Sequence, residues 1–182
     1  YLAGAKFEII DESGNVITSW TTGDSAHKIT HIPAGKYTLV EKSSANGYYP
    51  AEDIEFIVTA TGETQSIVID NEYTKVNISK LLLGTTNQFI EGAKLHLEDE
   101  NGNIITSWTT DDKAFGIDKI APGIYFIVED EAPAGYVKAE PVKIEVKATS
   151  EVQNFVMYNY HTGVSISKLE SGTDKFVTGA KL

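Results

Sequence analysis

The string ITSWTT occurs twice in this sequence, at residues 17–22 and again at residues 105–110, an offset of 88 residues. The same offset carries the Ile-Ser-Lys of residues 78–80 onto residues 166–168. A unit of about 88 residues therefore recurs, which is the size of an independent small domain. We expect one complete unit and two partial ones, which suggests a portion of a longer tandem array. Residues 1–74 form a unit that lacks its opening segment. Residues 75–162 form the complete unit, and residues 163–182 form the opening of a third.

Composition excludes several classes of function. The chain has 182 residues and a formal net charge of -11, its 15 basic residues are all lysine, and it contains no cysteine. An acidic chain without arginine is poorly suited to bind nucleic acid, because that interaction depends on clustered positive charge. The absence of cysteine excludes disulfides and thiolate metal sites. No apolar run reaches the roughly 18 residues of a membrane-spanning helix, so we expect no membrane insertion.

The periodicity predicts an all-β chain. Short segments rich in Val, Ile, Tyr, Phe and Thr alternate with Gly, Pro, Asn and Asp, and no segment has the pattern of a helix of three turns. Seven short strands in about 88 residues favour tandem immunoglobulin-like or prealbumin-like β-sandwich domains. In the complete unit we place these strands near residues 75–81, 93–99, 104–109, 115–120, 123–130, 141–147 and 152–159.

Three polar residues fall on the apolar faces of these strands. Because side chains alternate between faces with a period of two, Lys80, Glu129 and Asn159 share their faces with aliphatic or aromatic residues. The first unit repeats the glutamate as Glu41 and the asparagine as Asn71. Two interpretations follow: the polar groups form a buried triad, or they lie at strand ends and reach solvent, the lysine by extending its aliphatic stem.

A buried triad of this kind can form a covalent bond. Desolvation favours the neutral amine of Lys80, which is a nucleophile toward the amide carbon of Asn159. A protonated Glu129 can hydrogen-bond to the Asn159 carbonyl oxygen, polarise it, and then transfer protons to the departing ammonia. The product is an isopeptide bond that forms once, without turnover. By parity and motif we expect Tyr125, Ile78 and Trp108 to line this site.

The chain resembles the CnaB family, the B-type repeat domains of Gram-positive collagen adhesins and of SpaA-like pilins with a prealbumin-like fold. In that family, the lysine of the first strand bonds to the asparagine or aspartate of the last strand, assisted by the glutamate of a Y-x-x-x-E segment. The resemblance therefore implies an isopeptide between Lys80 and Asn159, with Glu129 as the catalytic acid. The motifs that carry it are VNISK (76–80), GAKLHL (92–97), ITSWTT (105–110), YFIVE (125–129), APAGY (132–136) and VMYN (156–159).

The resemblance also implies a function. Such domains are structural stalk repeats of a bacterial cell-surface adhesin or pilin, located outside the cell at the cell wall, and are not enzymes beyond the single cross-linking event. The expected partners are neighbouring repeats of the same protein and, through other domains, a host surface ligand. The alternative is that these domains are themselves ligand-binding adhesin modules for a host protein or glycan. Exposed aromatic residues would then bind the ligand, rather than cap the sandwich: Tyr48, Tyr49, Tyr158 and Tyr160.

The first unit departs from the family pattern. It has Glu41 and Asn71, but its lysine would precede Tyr1, and residues 43–48 lack the proline of the matching loop. Conversely, Lys168 has no glutamate or asparagine partner in its own partial unit. One hypothesis is strand complementation between chains, in which the segment around Lys168 fills the open position of a first unit.

Metal and cofactor sites are not expected. His27 and His31 stand four residues apart, a metal-binding spacing only on a helix, and the histidines do not recur at matching positions. The acidic turns at residues 11–12 and 99–100 lack the spacing of a calcium loop and are typical of solvated turns. Neither a catalytic serine–histidine–aspartate order nor an H-E-x-x-H motif is present.

Overall fold

The computed structural model describes residues 1–179, and in that range it contains eleven strands and no helix. Consequently, no helix there is long and apolar enough to cross a membrane. The last three residues of the expected third unit lie outside the described residues. The predicted all-β class is confirmed.

The first unit forms a single antiparallel sheet of four strands in the order β2-β1-β3-β4. Its core is the face of this sheet that carries Phe7, Ile9, Tyr37 and Leu39, all buried. The strands are β1 (Lys6–Asp11), β2 (Val16–Thr21), β3 (Gly35–Ser43) and β4 (Ile54–Val58).

The second unit is a sandwich of two sheets. One sheet has four strands in the order β10-β9-β6-β7, and the other has three in the order β11-β5-β8. All seven predicted strands are present, each within two residues of the expected bounds. They are β5 (Lys75–Leu82), β6 (Lys94–Asp99), β7 (Ile104–Thr109), β8 (Phe115–Asp118), β9 (Gly123–Glu131), β10 (Val142–Val146) and β11 (Val152–Asn159).

The β6–β7 hairpin shows how the local sequence sets the register. Asp99 Oδ1 accepts hydrogen bonds from the backbone N–H groups of Asn101 and Asn103, both at 2.9 Å. Gly102 has a φ of 79°, which a residue with a side chain rarely adopts. These bonds close the turn and bring Leu95 and Leu97 onto the core face, where both are almost fully buried.

The second sheet depends on β5. β5 is the central strand of its sheet, pairing with β8 on one side in antiparallel orientation and with β11 on the other in parallel. In the first unit, residues 22–34 and 59–72 are the counterparts of these flanking regions, and neither contains a strand. Sequence analysis predicted a unit lacking one strand; in the described residues the unit lacks the whole second sheet. The physical reason is that β8 and β11 bond to β5 and not to each other.

Candidate functional site

Lys80, Glu129 and Asn159 are all buried in the second unit. Lys80 is 2% exposed, while Glu129 and Asn159 are 0% exposed. The alternation along β5 places Lys80 on the inner face, below Val76 and Ile78. Asn159 is the last residue of β11, which runs parallel beside β5, and Glu129 comes from β9 in the facing sheet. The sheet that contains β5 and β11 therefore supplies Lys80 and Asn159, and the facing sheet supplies Glu129.

The carboxyl group of Glu129 joins the other two residues. Its Oε1 lies 3.1 Å from Lys80 Nζ and accepts a hydrogen bond from Asn159 Nδ2 at 3.0 Å. Its Oε2 lies 3.1 Å from the same Asn159 Nδ2 and also accepts a bond from the backbone N–H of Ala139 at 2.6 Å. The acid is thus held between the amine and the amide by β9 and by the loop that follows it.

The orientation of the Asn159 amide differs from the sequence-based expectation. We expected the acid to donate a hydrogen bond to the Asn159 carbonyl oxygen, whereas in the structure the amide nitrogen faces the carboxyl group. Both carboxyl oxygens of Glu129 accept hydrogen bonds from Asn159 Nδ2, so the donor end of the amide faces the acid. Within residues 1–179, Asn159 Oδ1 and Lys80 Nζ have no hydrogen-bond partner of good geometry.

Burial changes the acid–base behaviour of the lysine. Desolvation lowers the pKa of Lys80 below its ordinary value, although the attraction of the nearby Glu129 carboxyl group, 3.1 Å from Nζ, opposes this effect. The lowered pKa makes the neutral, nucleophilic amine more accessible than it is for a surface lysine.

The residues expected to line the site divide into two groups. Ile78 and Trp108 line a cleft that reaches Lys80, and the indole of Trp108 stacks on Phe115 with ring centroids 4.5 Å apart. Tyr125 is buried in the core but does not line this cleft, and its hydroxyl donates to the carbonyl of Ala121 at 2.9 Å. Phe115 lines the same cleft, and both rings of this pair are partly buried.

The first unit contains the same acid and amide without a lysine. Asn71 Nδ2 donates to Glu41 Oε2 at 2.7 Å, and the backbone N–H of Ala51 donates to the same oxygen at 2.7 Å. Glu41 is 7% exposed, and its Oε1 is buried without a hydrogen-bond partner in the described part of the chain. This oxygen is the counterpart of the one that faces Lys80 in the second unit.

Lys168 lies in a segment that forms no strand. Val164 and Ile166 are 86% and 71% exposed, and residues 163–168 lie outside every strand. The backbone N–H of Val177 donates to the carbonyl of Lys168 at 3.0 Å. The matching bond in the second unit runs from the N–H of Ile90 to the carbonyl of Lys80 at 2.9 Å. The structure does not bring Lys168 to Glu41 or Asn71 within the described residues.

The residues considered as metal ligands make other contacts in the structure. His27 stacks on Trp20 at 4.6 Å between ring centroids, and the nearest polar contact of His31 is Thr30 Oγ1 at 3.1 Å. Asp11 and Asp99 are occupied by the hydrogen bonds of their own turns. In residues 1–179 no group of three or more His, Cys, Asp or Glu side chains is arranged to hold a metal ion.

Sequence reasoning missed a charged cluster around His96. Its Nδ1 lies 2.9 Å from Asp130 Oδ2, and its Nε2 lies 3.3 Å from Glu98 Oε2. Burial lowers the pKa of His96, but hydrogen bonds to Asp130 and Glu98 outweigh that effect and leave the pKa raised. The signal was available in the 88-residue offset, because the first unit has Glu8 and Lys42 at the matching positions, 3.7 Å apart, with the charges exchanged.

A four-stranded sheet packed on a three-stranded sheet, with the first and last strands paired in parallel, defines the class: an all-β, prealbumin-like domain repeated along one chain. The family model of the SpaA prealbumin-like fold domain matches residues 1–73 and 74–161, and the chain belongs to this family. The resemblance to CnaB and SpaA-like domains of Gram-positive surface proteins is thereby confirmed.

Curated proteins similar to this chain include serine-aspartate repeat-containing proteins of staphylococci. The chain is 30% identical over 159 residues to serine-aspartate repeat-containing protein F of Staphylococcus epidermidis, covering 74% of this chain and 10% of that protein. It is 28% identical over 164 residues to serine-aspartate repeat-containing protein D of Staphylococcus aureus, covering 76% and 12%, respectively. The chain thus spans about a tenth of the length of these relatives.

Among solved structures, the Bacillus anthracis TIE protein matches with a TM-score of 0.54 and 24% identity, covering 87% of this chain and 31% of that chain. This match shows the fold. The shaft pilin SpaA from Lactobacillus rhamnosus GG matches with a TM-score of 0.45 and 16% identity in a variant structure, covering 91% of this chain and 87% of that chain.

Proposed function

We propose that this chain is a stalk segment of a bacterial cell-surface adhesin or pilin, located outside the cell at the cell wall. Membership of the SpaA family and the tandem arrangement of two units support this function. In this proposal the complete unit is cross-linked by an isopeptide bond between Lys80 and Asn159. The observation that carries the proposal is the buried contact of an amine, an acid and an amide around Glu129.

The reaction joins two side chains and releases ammonia. Neutral Lys80 Nζ attacks Cγ of Asn159 while protonated Glu129 donates its proton to the carbonyl oxygen, and the resulting carboxylate accepts a proton from the attacking nitrogen. Glu129 then passes this proton to Nδ2, the bond from Cγ to Nδ2 breaks as ammonia leaves, and Glu129 takes back the proton of the oxygen as the carbonyl forms again. One amide bond forms, one breaks, and nothing is oxidised or reduced.

The geometry identifies one movement that this reaction requires. Asn159 Nδ2 now faces the carboxyl group, whereas a protonated Glu129 would polarise the carbonyl oxygen. A half-turn of the terminal amide about χ2 exchanges the two atoms, and such terminal torsions are broad and roughly two-fold. A proton transferred from the lysine ammonium to Glu129 across their 3.1 Å contact would prepare both groups for attack.

Intact-mass spectrometry tests the bond directly. The purified chain should be lighter than its sequence mass by one ammonia, and Lys80→Ala, Asn159→Ala and Glu129→Ala should each restore the sequence mass. Lys94→Ala is the control, because Lys94 is an exposed lysine paired with Glu131 and its loss should leave the ammonia deficit unchanged. A folded chain with the full sequence mass would contradict the cross-link.

We further propose that the acid and amide of the first unit accept an opening strand from another copy of this chain. The buried, unpartnered Glu41 Oε1 in the described residues and the exposed apolar face of residues 163–168 support this interaction. Lys168 would then occupy the position of Lys80 and bond to Asn71 with the loss of one ammonia.

Denaturing electrophoresis of concentrated protein tests this interaction. Covalent dimers and longer ladders should form over time, and Lys168→Ala should prevent them. Lys175→Ala is the matched control, since Lys175 lies in the same segment but outside the apolar alternation. A chain that stays monomeric at high concentration while it retains the internal ammonia loss would exclude strand exchange and leave the stalk proposal intact.

A further inference from the structure

The two units are joined through Thr74, which is 0% exposed. Its backbone N–H donates to the carbonyl of Gly47 at 3.0 Å in the first unit, and its own carbonyl accepts from the N–H of Lys119 at 2.9 Å in the second. Its hydroxyl also donates to the carbonyl of Ile120. Thr74 is therefore hydrogen-bonded to both units, and it is buried at the contact between them.

Gly47 allows this close approach. Its φ is +82°, and a Cβ at this position would lie 2.2 Å from the carbonyl oxygen of Lys119. A side chain here would therefore push the second unit away from the first. We call the surface of the first unit formed by Gly47, Tyr48, Tyr73 and Thr74 the socket.

The partner of the socket is a corner of unusual backbone conformation. Lys119 has a φ of 59°, and in residues 1–179 the only other non-glycine residue with positive φ is His31, at 64°. These two residues are 88 positions apart, and each lies four residues before a strand, His31 before β3 and Lys119 before β9, so both units present the same corner. Lys119 Nζ lies 5.5 Å and 5.6 Å from the rings of Tyr48 and Tyr73, within range of cation–π attraction.

The second unit ends in an equivalent surface. Thr162 N–H donates to the carbonyl of Gly135 at 2.8 Å, which matches the bond from Thr74 to Gly47. Tyr136 pairs with His161 at 4.7 Å between ring centroids, in the position of Tyr48 and Tyr73. A Cβ on Gly135, which has a φ of +87°, would meet nothing within 4 Å in the described part of the chain.

We propose that Gly135, Tyr136, His161 and Thr162 form a second socket, which binds the corner of a further repeat of the same kind. The internal joint shows both the partner and the manner of contact, and residues 163–182 repeat the opening of the second unit in sequence. The corner at His31 is the matching surface for the socket of a preceding repeat. The φ of Gly135, +87°, is close to the +82° of Gly47, which contacts the corner at the internal joint.

The test extends the full chain so that its tail opens a complete unit. A copy of residues 96–162 is added after Leu182, and 15N relaxation reports the tumbling of each unit. We expect the second and third units to share one rotational correlation time, and we expect the same of the first and second. Gly135→Ala should lower the correlation time of the third unit toward that of an independent domain.

Gly47→Ala is the matched variant, because both glycines have nearly the same positive φ and therefore the same backbone strain. It should uncouple the first unit and leave the second and third coupled. Thr162→Val and Thr74→Val, which remove only a hydroxyl, give the same comparison if an alanine variant does not fold. A third unit that tumbles independently in the unsubstituted chain, or is unaffected by both changes at the second socket, would overturn the proposal.

Discussion

The two units hold the same acid–amide pair in different surroundings. In the second unit Glu129 binds Asn159 and lies against Lys80, whereas in the first unit Glu41 binds Asn71 with no lysine present. A backbone N–H also fixes the carboxyl group in both units. The N–H of Ala139 donates to Glu129 at 2.6 Å, and that of the matching alanine of the first unit donates to Glu41 at 2.7 Å. The comparison teaches that the acid and amide are positioned without the lysine strand.

The second sheet behaves in the opposite way. Residues 152–159 form β11 beside β5, whereas their counterparts around residues 64–71 form no strand, although they include Ile67 and Ile69. Val68 is 77% exposed, so this segment is left largely uncovered. In the second unit, both other strands of this sheet are bonded to β5, the strand that carries the lysine.

The largest expected effect comes from removing the amine while keeping its apolar volume. Lys80→Met should abolish the proposed cross-link and lower the free energy of unfolding of the second unit by roughly 4 to 5 kcal/mol, the chain-entropy term for a loop of about 80 residues. Differential scanning calorimetry should show the upper transition moving toward that of the first unit. Lys94→Met, at an exposed position, should leave both transitions in place.

The comparison can be sharpened by giving the first unit an opening strand. A copy of residues 75–88 placed before Tyr1 should restore a lysine opposite Glu41 and Asn71, order residues 64–71 as a strand, and cause the loss of a second ammonia. Hydrogen exchange and intact mass measure these two results. The same extension with alanine for the lysine should restore the strand without the second ammonia loss, and failure of the strand to form would contradict the dependence on β5.

The smallest expected effect is a pH dependence confined to the second unit. Because the folded-state pKa of His96 is raised above its ordinary value of 6.5, its ion pairs stabilise the unit fully below that value. The contribution is lost as the pH rises through the raised pKa. Urea unfolding at several pH values should show this decrease for the second unit, and His96→Gln should remove it.

The first unit is the control for this measurement. Glu8 and Lys42 take the positions of His96 and Asp130, so the first unit has no histidine at this place. Its stability should stay level over the same range. A parallel decrease in both units would show that His96 is not the cause.

Most of what could be predicted from sequence follows from the alternation of side chains along the strands. The inward positions of Lys80 and Asn159 follow from a period of two along β5 and β11, because a one-residue shift would expose every apolar neighbour. The seven strands of the second unit were predicted for the same reason. Local turn chemistry at Asp99 and Gly102 was also readable, since these residues act on their own backbone.

Features that depend on distant partners could not be predicted. The segment around Ile67 has the composition of a strand, but strand formation depends on a neighbour that supplies hydrogen bonds. The joint was missed because Gly47 and Lys119 are separated by a whole domain in sequence and meet only through the packing of two units. The orientation of the Asn159 amide depends on its contact with Glu129, which lies 30 residues away in sequence and on the facing sheet.

The parallel pairing of β5 and β11 has a mechanical consequence. The chain enters the second unit at Lys75, beside Val152, and leaves after Asn159, beside Leu82, so the two ends lie at opposite ends of the same pair of strands. A pull on the ends would slide these neighbours past each other and load all of their hydrogen bonds together, in shear, instead of opening them one by one. The unit is built to resist stretching along the axis of the array before any covalent bond is considered.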